Sequence, residues 1–471
     1  MPYLGVFVSL FFTAADDQNQ PTLVHLLNTE TLSDCLACLS ANQLAWVSAN
    51  DFNAKEGERC LVPDDEGALS FVLLGYDPNE PWYKVAQSVK QLPKGCYAFA
   101  DEDLLSRDEW GTLFYMIAQA EYSYSCSRDE QEGVKRTWVI PESLDLSRLR
   151  HEAQSSALVR DLINTPPNQM QSTDLAEAAE ALANEHGATF RCLTGDDLLD
   201  AGFEATYTVG LVGEQPPCLI DLTWGDPENP SIVLVGKGVC FDTGGLCLKT
   251  AKGMETMKKD MGGAAHALGL AHLIMSQGLP ISLRVLIPAV ENGIGKGAYR
   301  ISDVIRYRDG TTVEVMNTDA EGRLILADGI LEAVSNGNPD LLIDYSTLTG
   351  AARIAVGMDI AAYFTNDDNF IDPLQESANE LEDPVWPLPL YRPYKRRLKS
   401  SVADLTNAVP DGYGGATIAA LFLEHFVPRG CPWLHFDVSA WCASPYYGQQ
   451  KGAAVLGLRA VYRFLERFVG K

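Results

Sequence analysis

The chain has 471 residues, 46% of them apolar, and a formal net charge of −27. That length exceeds what one hydrophobic core organises, so two or more domains are expected, and the apolar content excludes general disorder. The acidic surplus disfavours nucleic acid and anionic membranes as electrostatic partners.

From the N-terminus, the apolar run Tyr3 to Ala14 has no Lys or Arg before it, is short for a membrane span, and meets Ala15-Asp16-Asp17. It predicts a buried strand, with no signal peptide and no membrane anchor. Gly5 to Val8, Gln43 to Val47 and Leu69 to Leu74 read as strands, and Trp110 to Glu121 as a helix. Together they predict an α/β domain without a catalytic motif. The eleven cysteines are odd in number and lack a secreted framework, which points to a reducing cytoplasm. Cys35 and Cys38, the one close pair, have no His or second pair for zinc. Pro141-Glu142-Ser143 breaks the chain before a helical run, Leu149 to Leu162, and sets the expected boundary: an N-terminal domain at 1–145 and a second domain at 146–471.

From residue 150 onward, strand and helix patterns alternate. Ser231 to Gly236 reads as a fully buried strand, Met254 to Gln277 as one long helix, and Ile281 to Val290 and Thr311 to Met316 as strands. Ala320 to Val334 reads as helix, Pro339 to Ser346 and Ala361 to Thr365 as strands, and Gly415 to Phe426 and Ala453 to Arg467 as closing helices. The fold class is α/β, with a smaller N-terminal α/β domain and a larger domain whose mixed sheet is covered by helices on both faces. Sites in such sheets lie beyond the carboxyl ends of strands.

The unusual residues follow the strands. After Ser231 to Gly236 comes Lys237-Gly238-Val239-Cys240-Phe241-Asp242-Thr243-Gly244-Gly245-Leu246-Cys247-Leu248-Lys249, and the order is wrong for a phosphate-binding loop, because the Lys precedes the turn. Asp260 follows, early in the next predicted helix. After Thr311 to Met316 come Asp319, Glu321 and Arg323, spaced by two; in an extended segment that spacing aims all three at one place. Taken singly, each carboxylate is more often an ordinary ion-paired or turn residue. Asp242, Asp260, Asp319 and Glu321 gathered in one dry place would repel one another unless protons or cations intervene. Two divalent ions match four carboxylates and would activate water. Lys237 could join them only as a neutral amine. Lys249 and Arg323 would stay charged, to stabilise an oxyanion or hold a small anion.

The stretch from Lys237 to Lys249, Asp260, and above all Asn317-Thr318-Asp319-Ala320-Glu321-Gly322-Arg323-Leu324 resemble the leucyl aminopeptidase (cytosol aminopeptidase) family. The likeness runs from about residue 150 to 471 and includes Arg160 to Asn168, Ser346 to Gly350 and Leu398 to Leu405; the N-terminal domain is similar only in size and α/β character. The resemblance implies a metal-dependent aminopeptidase that acts on peptides with a free N-terminus, leucine-like residues preferred. It places Lys237 and Asp260 on the more tightly held of two divalent ions, Asp319 on the other, and Asp242 and Glu321 between them. It makes Lys249 and Arg323 the charged catalytic pair, with bicarbonate held at Arg323 as base. It gives Met257, Thr347, Leu348 and Gly350 the walls of the pocket for the first side chain. Zinc, manganese or magnesium would serve as the metals, and a cytoplasmic homohexamer is implied.

Three segments depart from the family pattern: Arg300-Ile301-Ser302-Asp303, Leu211 to Gln215, and His435 to Trp441. None carries an implied metal ligand. No H-E-x-x-H occurs among the seven histidines and no G-x-S-x-G is present, which weighs against a zincin and a serine hydrolase. His266, Cys240 and Cys247 read as packing residues. The basic stretch Tyr394 to Lys399 reads as a solvated or interface face. Two other classes stay open: a scaffold that kept the fold without activity, and a nucleotide- or phosphate-dependent enzyme built on the glycine-rich loop.

Overall fold

The structure, a computed structural model, describes residues 12–14, 20–125, 136–444 and 450–470. The chain forms two compact units, which divide after Ala157. That point lies inside one helix, Leu146–Asn164, which begins at the expected boundary of 145/146.

The N-terminal unit holds a six-stranded sheet in the order Phe12–Thr13, Arg136–Val139, Gly95–Phe99, Thr22–Leu27, Leu69–Gly75, Arg59–Pro63. All neighbours are parallel except the last pair. Trp110, Phe114, Trp138 and Phe99 fill its core, with Trp138 and Phe99 stacked at 5.0 Å. The predicted strand over Gln43 to Val47 is instead part of a helix, Ala41–Ala49. Its short apolar run fits either element; Ser40 decides, because it and Gln43 form a reciprocal capping box that starts a helix there. The predicted strand over Gly5 to Val8 lies outside the described residues.

The larger unit is built on a mixed sheet. Its order is Val385–Pro387, Ala361–Thr365, Trp433–Asp437, Leu341–Ser346, Ser231–Gly236, Ser282–Asn292, Cys218–Trp224, Thr189–Thr194, and the short strand Gly238–Asp242 pairs with the far end of Ser282–Asn292. The four central strands, Trp433–Asp437 through Ser282–Asn292, are mutually parallel, so their carboxyl ends open on one edge. Both faces of the centre are covered. Val233 and Val235 join a cluster with Leu324, Ile325 and Ile330 of the helix Glu321–Ala333. Ile232 and Leu234 point the other way and are just as buried. The helix Gly262–Gln277 starts tight against the strand ends: a Cβ on Gly263 would lie 2.2 Å from the Tyr345 carbonyl oxygen.

Two sequence expectations fail near this edge. The long helix over Met254 to Gln277 is broken into Ala251–Met254, a 3-10 turn Met257–Met261, and Gly262–Gln277. Met257, Lys259, Asp260 and Met261 are all buried, so the apolar period runs through the break and conceals it. The predicted strand Thr311 to Met316 shrinks to Thr312–Glu314 within a separate three-stranded sheet. At the C-terminus, Gly452–Ala453 pairs as a short strand and the last helix is Leu458–Val469. Arg392 and Lys395 pair with Glu424, and Arg397 with Asp411, which neutralises much of the basic stretch. Among the described residues, no helix is long and apolar enough to cross a membrane.

Candidate metal centre

Lys237 follows directly on its strand, with its N–H bonded to the Tyr345 carbonyl. The residue is 2% exposed, and its Nζ lies 2.6 Å from Asp260 Oδ2 and 3.0 Å from Glu321 Oε1. Lys249 closes the loop that leaves the Gly238–Asp242 strand; its Nζ lies 2.8 Å from Asp242 Oδ2 and contacts Asp319 as well. Oxygens of Asp242, Asp319 and Glu321 fall within 4.8 Å of one another. The five implied metal ligands and Lys249 therefore share one site at the carboxyl edge of the sheet.

The convergence does not arise from strand alternation. Asp319 sits in a turn, its N–H bonded to the Asn317 side chain at 2.9 Å, and Glu321 is the first residue of its helix. Two residues further on, Arg323 donates from Nη1 to the Asn407 carbonyl at 2.7 Å, its buried Nε has no partner, and the Glu321 charge acts on it. The expectation of an extended segment through Asp319, Glu321 and Arg323 is corrected accordingly, because the chain turns and enters a helix at Glu321.

Polar neighbours fix the carboxylates. Asn292, at the carboxyl end of its strand, donates to Asp242 Oδ1 at 2.8 Å, to the Thr318 carbonyl at 3.0 Å and towards Glu321 Oε2 at 3.4 Å. Thr347 Oγ1 donates to Asp260 Oδ1 at 2.8 Å, and the Thr347 carbonyl lies 3.5 Å from Lys237 Nζ. Asp437 accepts from the N–H groups of Leu348 and Thr349 and from the Thr349 hydroxyl, and so holds the loop from Thr347 to Gly350. Met257 is buried on the 3-10 turn, Leu348 is half-buried, and Gly350 opens the helix Gly350–Val356. Sequence reasoning missed Asn292 and Asp437, since a single Asn at a strand end and an Asp in an apolar run carry no motif. It also missed Lys259, which is 3% exposed. His266 is a packing residue, bonded from Nδ1 to the Gly262 carbonyl and accepting from Leu456 N. Cys240 is buried, and Cys247 accepts from Thr318 N.

Electrostatics match the crowding. Burial and then the Asp242 charge push the Glu321 carboxyl up to about 8, and the same causes push Asp319 up to about 6. Asp260 is also raised by burial, but Lys237 and Lys259 bring it below the ordinary carboxylate value. Lys237 and Lys249 are disfavoured as ammonium ions by burial, yet the surrounding carboxylates raise both overall. Burial pulls Lys259 down to about 8 and Arg323 to about 10.

These residues fit divalent metal. Four carboxylates, each paired with one of two lysines, converge at one buried edge, an excess of negative charge that a divalent ion would offset. Oxygen donors with a single amine suit hard or borderline ions. The unpartnered Nε of buried Arg323 fits a small anion.

Comparison with known proteins gives one answer. A profile of the "Cytosol aminopeptidase family, catalytic domain" matches residues 157–462, and one of the "M17 aminopeptidase, N-terminal domain" matches residues 22–138. The likeness thus reaches further than the motifs revealed and takes in the N-terminal unit. The chain is 41% identical over 338 residues to a Peptidase B of Pectobacterium atrosepticum, covering 70% of this chain and 77% of that protein. The solved cytosol aminopeptidase of Coxiella burnetii superposes with TM-score 0.93 at 42% identity, over 97% of this chain and 99% of that one. The bottromycin maturation enzyme BotP, solved in complex with Mn, superposes with TM-score 0.85 at 29% identity, over 95% and 99%.

Proposed function

We infer from the premise that the chain belongs to the cytosol aminopeptidase family, and is a metal-dependent aminopeptidase, that it releases leucine-like N-terminal residues from peptides with a two-metal centre. The observation that carries this reading is the pairing of five carboxylate and amine ligands with a sixth, cationic side chain at one strand edge. Lys237 and Asp260 would hold one ion, Asp319 the other, and Asp242 and Glu321 both. Zinc or manganese suits this donor set, with magnesium a third candidate; manganese accompanies the related BotP. Bound there, the ions would supply Lewis acidity towards the scissile carbonyl, a water acidified into a nucleophile, and a point of attachment for the substrate's free α-amine.

The chain's own residues do the rest. Lys249, at the more open side, offers an ammonium to the oxyanion that develops as water adds to the carbonyl. Arg323 would hold bicarbonate, a base for the reaction, through its unpartnered Nε. Asn292 fixes the orientation of Asp242 and Glu321. Asp437 sets the loop from Thr347 to Gly350, which with Met257 walls the pocket for the first side chain. A cytoplasmic homohexamer is part of the same proposal, and a stable monomer in analytical ultracentrifugation would remove that part.

The test is hydrolysis of leucine p-nitroanilide beside its N-acetylated form, with metal-stripped protein and zinc, manganese, magnesium or cobalt restored. Cleavage should require both metal and a free amine. Equal cleavage of the acetylated substrate would overturn the exopeptidase reading, and full activity without metal would overturn the metal centre.

A further inference from the structure

A second constellation of ligand-type side chains lies within the larger unit, away from the carboxylates. His186 ends the helix Ser172–His186, which Gly187 closes in a left-handed conformation at φ 65°. His272 lies on Gly262–Gln277, ten residues past the end that meets the strands, or about 15 Å along the helix axis. One ligand atom each from Glu185, His186 and His272 lie within 4.8 Å of one another. The two imidazoles meet edge to face, with centroids 5.4 Å apart.

Three features favour a cation here. His186 Nε2 is buried with no hydrogen-bond partner, an expensive condition for a ring nitrogen unless something else binds it. The end of the Ser172–His186 helix carries partial negative charge. His272 is buried, His186 half-buried and Glu185 exposed, which gives two fixed nitrogens on the protein side and an adjustable carboxylate on the solvent side.

We propose that Glu185, His186 and His272 form a metal site separate from the catalytic centre, taking a divalent transition ion of the zinc class. Two imidazoles select zinc, copper, nickel or cobalt over magnesium and calcium, whereas the oxygen-rich catalytic centre accepts hard ions. Zinc with bonds of about 2.0–2.1 Å holds its ligands about 3.4 Å apart, so from separations within 4.8 Å the site has little way to close as the exposed Glu185 swings in, leaving the remaining position to water. The ion ties the end of one helix to the flank of another, and its effect is on stability. The inference stands apart from the peptidase reading.

Fully metal-loaded protein is dialysed against buffered zinc, and bound zinc is counted per chain for wild type, His186→Ala and His272→Asn. Wild type should hold about one zinc more than either variant, consistent with one tetrahedral site. Zinc should raise its Tm more than theirs, and leucine p-nitroanilide hydrolysis by the loaded protein should not change. Magnesium in place of zinc should leave the three alike. Equal zinc counts in wild type and His186→Ala overturn the site. Residue 186 is half-buried at a helix end, so that variant decides the matter even where His272→Asn does not fold.

Discussion

The candidate metal centre has two halves that use the same chemistry at different depths. In the inner half, the side chains of Lys237, Asp260 and Glu321 are 3%, 4% and 2% exposed; in the outer half, those of Lys249 and Asp319 are 17% and 31% exposed, beside a buried Asp242. Asn292 reaches from Asp242 to Glu321 and joins the halves. The difference teaches that one kind of ion pair can serve two ends. Charges sealed from water are costly to unpair and hold the fold and the metal. Charges left near solvent are cheaper to separate and free to follow a reacting group.

Lys237→Met tests the inner half and should have the largest effect. It leaves the buried Asp260 carboxylate without its closest cation, so metal-stripped protein should lose about 3–5 kcal/mol in urea unfolding. The loaded protein should also retain less metal. Lys249→Ala should cost less in unfolding than Lys237→Met, since its pairs lie nearer solvent, yet lower turnover by about 10²–10³-fold. Equal stability losses from both variants would erase the distinction between the halves, and wild-type turnover in Lys249→Ala would remove its catalytic role.

A pH series sharpens the comparison. Glu321 and Asp319 hold their protons in the native, metal-free protein up to about 8 and about 6, while the unfolded chain releases them in the ordinary carboxylate range. Their contribution is therefore fully present below that range and is lost as pH rises, first through about 6 and then through about 8. Metal-stripped protein should show a denaturation midpoint that falls between pH 5 and 8, and metal should restore more stability at pH 8 than at pH 5. A metal-free midpoint that climbs over this interval would contradict the crowding of the carboxylates. The smallest effect belongs to Thr347→Val, which removes one hydrogen bond to Asp260 and should cost about 1 kcal/mol, read as a modestly weaker hold on metal.

Much of this was legible in the sequence, and the exceptions have physical causes. The Ser231–Gly236 and Ala361–Thr365 strands are nearly continuous apolar runs, so their place in a covered sheet could be read directly. Thr189–Thr194 is a half-buried edge strand of mixed polarity and gave no such run. Asp319 and Glu321 were grouped on a mistaken premise: two residues apart in a strand and two residues apart across a turn into a helix both converge. Asn292 and Asp437 become visible only when strands distant in sequence are laid side by side, because their partners lie 50 and 89 residues away.

Gly322 is the second residue of the helix Glu321–Ala333, and a Cβ there would stand 2.5 Å from Lys237 Cε and 2.8 Å from its Nζ. The missing side chain lets the lysine amine rest against the first turn of a helix, where the backbone is partially positive. An ammonium gains nothing from that neighbour; a neutral amine loses nothing. On the proposed assignment, Lys237, seated over bare backbone at a helix start, would be the centre lysine that gives up its proton to a cation, so affinity for metal should carry the pH dependence of that amine.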